Sequence, residues 1–221
     1  MEHAMVAKSS VTARPVDPNQ PDPPIGSLAE ARASIDECRR CELYKAATQA
    51  VFGEGPQHAS VLFVGEQPGD QEDLAGKPFV GPAGRLFDSY LERVGIDRSR
   101  VYVTNAVKHF KFEPRGKRRL HKRPDAAEIA ACRFWLDLEM QFLEPNLIVA
   151  LGATAARSVL GKVVTIGELR GKPIERGNAP AVFVTIHPSF LLRIRARPEY
   201  EQEAEKFEAD LAAIRDYAQA G

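Results

Sequence analysis

Four short apolar runs alternate along the chain with longer amphipathic segments. The runs span residues 60–65, 101–107, 147–151 and 181–186, and each is typical of a buried strand. Apolar residues at helical spacing predict helices over 28–40, 82–94, 125–143, 155–160 and 199–217, with Ser27 and Thr154 as N-caps. Strands that alternate with helices favour a parallel sheet covered on both faces. We therefore predict an α/β fold, a three-layer α/β/α sandwich with a central four-stranded parallel sheet.

Residues 1–26 differ from the rest of the chain. They contain five prolines and few large apolar residues, and they precede the first amphipathic segment. Such a composition buries too little apolar surface to fold alone. We expect a flexible N-terminal extension over 1–26 and a single folded domain over 27–221.

Composition and charge narrow the class of protein. No run approaches the roughly 20 apolar residues of a membrane helix, and the N-terminus lacks a signal-peptide core. Three cysteines, an odd number, argue against a disulfide framework. We therefore expect a monomeric protein of the cytoplasm with no membrane partner.

The 30 basic residues balance the 30 acidic ones, but eight cations lie between Lys108 and Arg123, opposed only by Glu113. This local cluster indicates an anionic partner.

Polar residues follow three of the predicted strands. Glu66 and Gln67 end the first, Asn105 lies in the second, and His187 follows the fourth. Parallel sheets bind ligands at the carboxyl ends of their strands, so we expect one site there. The alternatives are structural: Asn105 as a cap for a neighbouring loop, and His187 as part of an ordinary His-Pro turn.

The three cysteines are candidate metal ligands. Cys38 and Cys41 form a C-x-x-C pair, and Cys132 lies on the long predicted helix. A zinc ion or an iron–sulfur cluster needs a fourth ligand, for which His109 is the natural candidate. The residues alone do not choose between the two metals, and buried or incidental cysteines are the simpler alternative.

Several motifs, in order along the chain, resemble those of the uracil-DNA glycosylase superfamily. They are Gly65-Glu66-Gln67-Pro68-Gly69, Gly76-Lys77-Pro78-Phe79-Val80-Gly81-Pro82-Ala83-Gly84, Thr104-Asn105-Ala106-Val107-Lys108 and His187-Pro188-Ser189. The resemblance is strongest to the iron–sulfur family 4 enzymes, with three departures, one of which is His109 at a place where family 4 carries a cluster cysteine. Family 4 also has Ala where Gln67 stands, and it lacks the basic insertion 117–121. These last two departures resemble the UdgX branch, whose loop typically reads KRRIH, where this chain has Leu120 in place of Ile.

The resemblance implies a cofactor and a set of roles. It implies a [4Fe–4S] cluster held by Cys38, Cys41, His109 and Cys132, with a structural role. It implies uracil-containing DNA as the partner, with single strands preferred, and free uracil as the released product. The residues that bind uracil or DNA would be Gln67, Asp70, Asp73, Phe79, Asn105, Arg118, Arg119 and Ser189, and the catalytic residues His121, Glu66 and His187.

His121 distinguishes the enzymatic hypotheses. In the UdgX branch the histidine of the inserted loop captures the sugar after uracil departs, and the resemblance places that role on His121. Its imidazole must be neutral to attack, and the neighbouring Arg118, Arg119, Lys122 and Arg123 disfavour imidazolium. The carboxylate of Glu66 would accept a hydrogen bond from the protonated ring nitrogen, which leaves the lone pair of the other nitrogen free. The alternatives are a turnover glycosylase in which Glu66 guides water, and a metal-containing DNA-binding module without activity.

Overall fold

A computed structural model describes residues 25–220, so nearly all of the predicted extension 1–26 lies outside the described residues. The strands are β1 (Val61–Gly65), β2 (Tyr102–Asn105), β3 (Phe112–Arg115), β4 (Arg118–His121), β5 (Leu147–Leu151), β6 (Pro173–Arg176) and β7 (Ala179–Thr185). The α-helices are α1 (Leu28–Ser34), α2 (Asp70–Ala75), α3 (Pro82–Arg93), α4 (Ala126–Leu143), α5 (Ala153–Leu160), α6 (Ile166–Leu169), α7 (Pro188–Ile194) and α8 (Tyr200–Ala220). Short 3₁₀ turns lie at Ile35–Glu37, Glu42–Lys45 and Arg98–Arg100.

The central sheet has the strand order β2-β1-β5-β7-β6. The four strands predicted from the sequence are present, and all pair in parallel. A fifth strand, β6, joins antiparallel at the edge and was not predicted. The predicted α/β class is confirmed, with a mostly parallel sheet of five strands rather than four.

Each buried strand sends alternate side chains to opposite faces of the sheet. Leu62 and Val64 of β1 pack with residues of α1, α4 and α5. Phe63, between them, packs instead with residues of α3, α7 and α8. Helices therefore cover both faces, which is why the central strands are apolar throughout and why the domain has three layers.

Two helix boundaries differ from the prediction. The first helix ends at Ser34 and passes through the turn Ile35–Glu37 to Cys38, so it is shorter than the predicted 28–40. Helix α5 begins at Ala153 after Gly152, and Thr154 is not its N-cap. The side chain of Thr154 turns instead toward the carboxyl end of β1, where it contacts Glu66.

The basic insertion forms a β-hairpin. Strands β3 and β4 pair antiparallel, with Phe112 opposite His121 and Arg115 opposite Arg118. Gly116 has a φ of 58° in the turn, a conformation that glycine adopts without steric cost. Within residues 25–220, no helix has the length and apolar character needed to cross a bilayer.

Candidate active site

Three residues converge on one point at the carboxyl end of β1. A Cβ built on Gly65 would lie 2.4 Å from Oδ1 of Asn105, 2.9 Å from Cζ of Phe79 and 3.4 Å from Nε2 of His187. Gly65 and Asn105 are direct partners in the parallel pairing of β1 and β2. The structure thus brings together the residues that the sequence placed at three separate strand ends or loops. Only glycine leaves room among them.

Phe79 is held in an unusual backbone conformation. Its φ is 60°, and its ring lies 6.2 Å from that of His187, with 28° between the two planes. A Cβ at Gly84 would lie 1.7 Å from the carbonyl oxygen of Phe79, so the last glycine of the motif permits this turn. Non-glycine residues with positive φ are costly and concentrate at functional sites.

His187 presents one nitrogen to the same point. The backbone N–H of Ser189 donates to Nδ1 of His187 at 3.2 Å, so the proton of the neutral ring is on Nε2. Burial, with smaller contributions from the nearby His121 and Arg193, lowers the pKa of His187 to about 4. The hydroxyl of Ser189, predicted to contact DNA, lies 2.9 Å from the same Nδ1 and accepts from Arg193 at 3.0 Å. Ser189 thereby fixes the orientation of the His187 ring.

Glu66 and His121 face each other at the mouth of this site. Nε2 of His121, the last residue of β4, lies 3.4 Å from Oε1 of Glu66. The other carboxylate oxygen accepts a 2.5 Å hydrogen bond from the hydroxyl of Thr154. The side chain of His121 is 49% exposed and that of Glu66 is 24% exposed, so both can reach a substrate from solvent.

The His121 imidazole is poised to be neutral at pH 7. Its pKa is lowered chiefly by burial, and the positive charge of Arg193 adds to this while Glu66 opposes it. From the sequence, this effect was expected of Arg118, Arg119, Lys122 and Arg123. The main cause is instead burial, and the cation that contributes, Arg193, belongs to α7, a helix that was not predicted.

Gln67 fastens the hairpin to the sheet. Its amide nitrogen donates to the carbonyls of Lys111 and Lys122, each at 3.1 Å, and its oxygen accepts from the backbone N–H of Lys111 at 3.1 Å. The residue is 6% exposed. Both ends of the amide are occupied within the protein, so these contacts position the hairpin, and the role of Gln67 in binding uracil or DNA stays a prediction.

Arg119 forms a second attachment of the hairpin. Its guanidinium lies 2.5 Å from Oδ1 of Asp70 and 2.6 Å from Oδ2 of the fully buried Asp73. The same group stacks on Phe110 and Phe112, at 5.5 and 5.1 Å from the ring centres. Arg119, Asp70 and Asp73 thus dock the hairpin on α2, and their predicted contacts with DNA stay predictions.

The basic cluster is thus divided between the interior and the surface. Lys108 is fully buried and lies 2.5 Å from Glu139, and Lys111 pairs with Asp125 and Glu128. The residues that remain exposed are Arg115, Lys117, Arg118, Lys122 and Arg123. Arg118 is exposed, as a contact with an anionic partner requires. The tip of the hairpin carries most of the exposed positive charge.

The candidate metal ligands lie beside this hairpin. Cys38 ends the turn Ile35–Glu37, Cys41 precedes the turn Glu42–Lys45, Cys132 is buried on α4, and His109 follows β2. Within residues 25–220, no three side chains of metal-binding type come close enough to hold one ion in common. Cys41 packs against the hydrophobic cluster that contains Cys132, and the four-residue ligand set stays a prediction.

Comparison with known proteins identifies the family. Residues 52–212 match the family described as the uracil DNA glycosylase superfamily, and this range includes every candidate site residue except Cys38 and Cys41. The chain belongs to the uracil-DNA glycosylase superfamily. The resemblance predicted from the motifs is thereby confirmed at the level of the superfamily, while the UdgX branch stays a prediction.

Three curated members of this superfamily illustrate the likeness. A type-4 uracil-DNA glycosylase of Thermotoga maritima is 41% identical over 163 residues, which cover 73% of this chain and 81% of the relative. A type-4 uracil-DNA glycosylase of Archaeoglobus fulgidus is 37% identical over 188 residues, 81% of this chain and 91% of the relative. A type-5 uracil-DNA glycosylase of Pyrobaculum aerophilum is 30% identical over 179 residues, 73% and 75% respectively.

Proposed function

We propose that the protein is a uracil-DNA glycosylase, which cleaves the bond between uracil and deoxyribose in DNA. The observation that carries this proposal is the convergence of Asn105, Phe79 and His187 on Gly65, at the edge of the sheet where Glu66 and His121 also lie. The family membership and the names of the relatives support it.

The pocket residues suit a base that has left the helical stack. A flipped base is read by hydrogen bonds to its edge and by stacking. The amide of Asn105 offers a donor and an acceptor to the edge of uracil, and the ring of Phe79 offers a stacking face. The Nε2–H of His187 donates to a uracil carbonyl as negative charge grows on the departing base.

The second part of the proposal concerns the deoxyribose that remains after uracil leaves. As the bond from C1′ to N1 breaks, its electron pair leaves with uracil and C1′ becomes cationic. The lone pair of the His121 imidazole then forms a bond to C1′, and the ring gives up its N–H proton to Glu66 or to water. The resulting bond lacks a good leaving group, so the DNA stays attached to the protein.

Two observations support His121 as the nucleophile. The hairpin is anchored by Gln67 and Arg119, which fix its backbone immediately beside His121. The ring lies beside the Glu66 carboxylate although half of the side chain is exposed, and its lowered pKa keeps the lone pair free. The UdgX resemblance, carried by Gln67 and the sequence 117–121, adds to these.

The second candidate is a turnover enzyme, and the type-4 names of the relatives favour it. In that case Glu66 orients a water molecule toward C1′, and His121 only contacts the DNA. Glu66 suits this role as well, because Thr154 fixes one carboxylate oxygen and leaves the other facing the cleft.

One experiment separates these functions. A single-stranded oligonucleotide with one uracil is mixed with excess protein, released uracil is measured by chromatography, and the DNA is run on a denaturing gel. Released uracil with a heat-stable conjugate is the expected result, and a thymine oligonucleotide is the control. Uracil with free abasic DNA would instead establish the turnover enzyme. Binding without released uracil would leave only a DNA-binding module. A double-stranded substrate tests the predicted preference for single strands. A sizing column tests the predicted monomeric state.

The [4Fe–4S] cluster is also a proposal, and the predicted ligands fit it. Nδ1 of the buried His109 has no hydrogen-bond partner among the described residues, and burial lowers its pKa to about 4, which leaves a neutral ring with a lone pair. N–H groups of Trp135 and Lys108 donate to the sulfurs of Cys38 and Cys132, as expected around cluster thiolates. Cluster ligands bind different iron atoms, so they need not meet at one point. Metal analysis of the purified protein tests the proposed cluster. We expect about four iron atoms per chain, and zinc in place of iron would contradict it.

A further inference from the structure

We propose that Thr154 is a positioning residue whose hydroxyl holds the Glu66 carboxylate toward His121 and keeps it apart from Arg123. The inference rests on the proposed function, because it deepens the role of Glu66 in that site. The sequence analysis assigned Thr154 to a helix cap, and the structure shows a different use of its hydroxyl.

The hydroxyl of Thr154 joins two groups of opposite charge. It donates its single hydrogen to Oε2 of Glu66 at 2.5 Å, and it accepts from Nε of Arg123 at 3.3 Å. Thr154 is 1% exposed, so water does not readily replace the hydroxyl. The donated bond leaves Oε1 of Glu66 as the oxygen that faces Nε2 of His121, at 3.4 Å.

The arrangement separates a cation from a carboxylate. Arg123 and Glu66 both lie within hydrogen-bond reach of the same oxygen, so they are near enough to pair directly if that oxygen is removed. A bond between guanidinium and carboxylate is stronger than a neutral one. Without the hydroxyl, Arg123 therefore draws the carboxylate away from His121, so the ring loses its partner when it attacks C1′.

A helix-capping role does not account for Thr154. Helix α5 starts one residue earlier, and the N-cap position belongs to Gly152. The side-chain bonds of Thr154 go to a carboxylate and a guanidinium from other parts of the chain, not to the backbone of its own helix. Its hydroxyl is thus committed to the site.

Three variants test this role. Thr154→Val keeps the shape and removes the hydroxyl, while Thr154→Ser keeps the hydroxyl. Ser158→Ala is the matched control, since Ser158 is buried on the same helix and its hydroxyl has no hydrogen-bond partner among residues 25–220. Each variant is mixed in excess with single-stranded uracil DNA, and three quantities are measured: the single-turnover rates of uracil release and of conjugate formation, and the dissociation constant for DNA.

Thr154→Val is expected to slow conjugate formation at saturating protein by at least about tenfold, because a misplaced catalytic group costs this much or more. Its dissociation constant for DNA should stay within twofold of wild type, and Thr154→Ser and Ser158→Ala should react as wild type does. Adding Arg123→Gln to Thr154→Val should recover part of the rate, because the competing cation is removed. A merely structural hydroxyl would give no such recovery.

A Thr154→Val protein that reacts at the wild-type rate overturns the inference. So does a Thr154→Ser protein that is as slow as Thr154→Val. If Thr154→Val fails to fold, judged by its thermal melting, the comparison of Thr154→Ser with wild type and Ser158→Ala decides instead. If wild type releases uracil without forming a conjugate, the proposed capture by His121 fails. The Thr154 variants are then compared with wild type by their turnover rate of uracil release. If wild type releases no uracil, the proposed function itself fails, and with it the role assigned to Thr154.

Discussion

Replacing Gln67 with alanine tests how the hairpin is positioned. The amide makes three hydrogen bonds of 3.1 Å to backbone groups of Lys111 and Lys122, at the two ends of the hairpin beside His121. A typical hydrogen bond contributes about 1 kcal/mol net, so Gln67→Ala should weaken docking of the hairpin by about 2–3 kcal/mol. The attachment through Arg119 and Asp73 remains, so the fold should persist.

The expected consequence is a change of product rather than loss of excision. The bonds of Gln67 go to the hairpin, so uracil release should stay near the wild-type rate. His121 then spends less time beside the sugar, and conjugate formation should slow by about 30- to 150-fold, since about 1.4 kcal/mol corresponds to a factor of ten. Water would capture the sugar in the remaining molecules and leave abasic DNA.

The assay measures both products from one reaction. Conjugate is read from a denaturing gel, and abasic DNA is read from strand cleavage after alkali. Gln71→Ala is the matched control, because Gln71 is exposed and bonds only to Arg85 in this region. A Gln67→Ala protein that forms conjugate as fast as wild type would refute the positioning role of this amide.

Three further predictions follow from the same geometry. Gly65→Ala should abolish uracil excision in a folded protein, because its Cβ would lie 2.4 Å from Oδ1 of Asn105; near-wild-type uracil release would contradict this. Burial lowers the pKa of His121 below its ordinary value of 6.5, and the neutral imidazole is the form that attacks. The conjugation rate should therefore be constant at alkaline pH and fall in acid with a midpoint below 6.5; a midpoint above 6.5 would oppose the assignment. Arg118→Ala should reduce the salt dependence of DNA binding by about one ion, whereas Arg119→Ala should leave that slope unchanged and lower thermal stability; equal slopes for the two variants would refute this division.

The central fold was predictable because its signals are local. Apolar runs such as Leu147–Leu151 end at the residues that the structure gives, since buried parallel strands require continuous apolar sequence. Strand β6 has no such signal, because it lies at the edge with two exposed residues and pairs through its backbone. The hairpin was missed for a similar reason: its strands are mostly charged, and Gly116 alone indicated the turn.

The site was predictable in its location but not in its internal contacts. Strand ends placed Glu66, Asn105 and His187 at one edge, because parallel strands share their direction. The partners of Gln67 and Arg119 depend on how the hairpin folds back over α2, and sequence spacing contains no information about that contact. Thr154 was assigned to a cap because threonine before a helix usually has that role; only the structure shows that its hydroxyl reaches Glu66.

The most direct test of the central claim is the chemical identity of the attachment. The conjugate with single-stranded uracil DNA is digested with nuclease and protease, and the modified peptide is sequenced by tandem mass spectrometry without a reducing agent. We expect one deoxyribose-containing fragment on the imidazole of His121 and no conjugate from His121→Ala. A sugar attached to any other residue, or abasic DNA with no conjugate at all, would contradict the account.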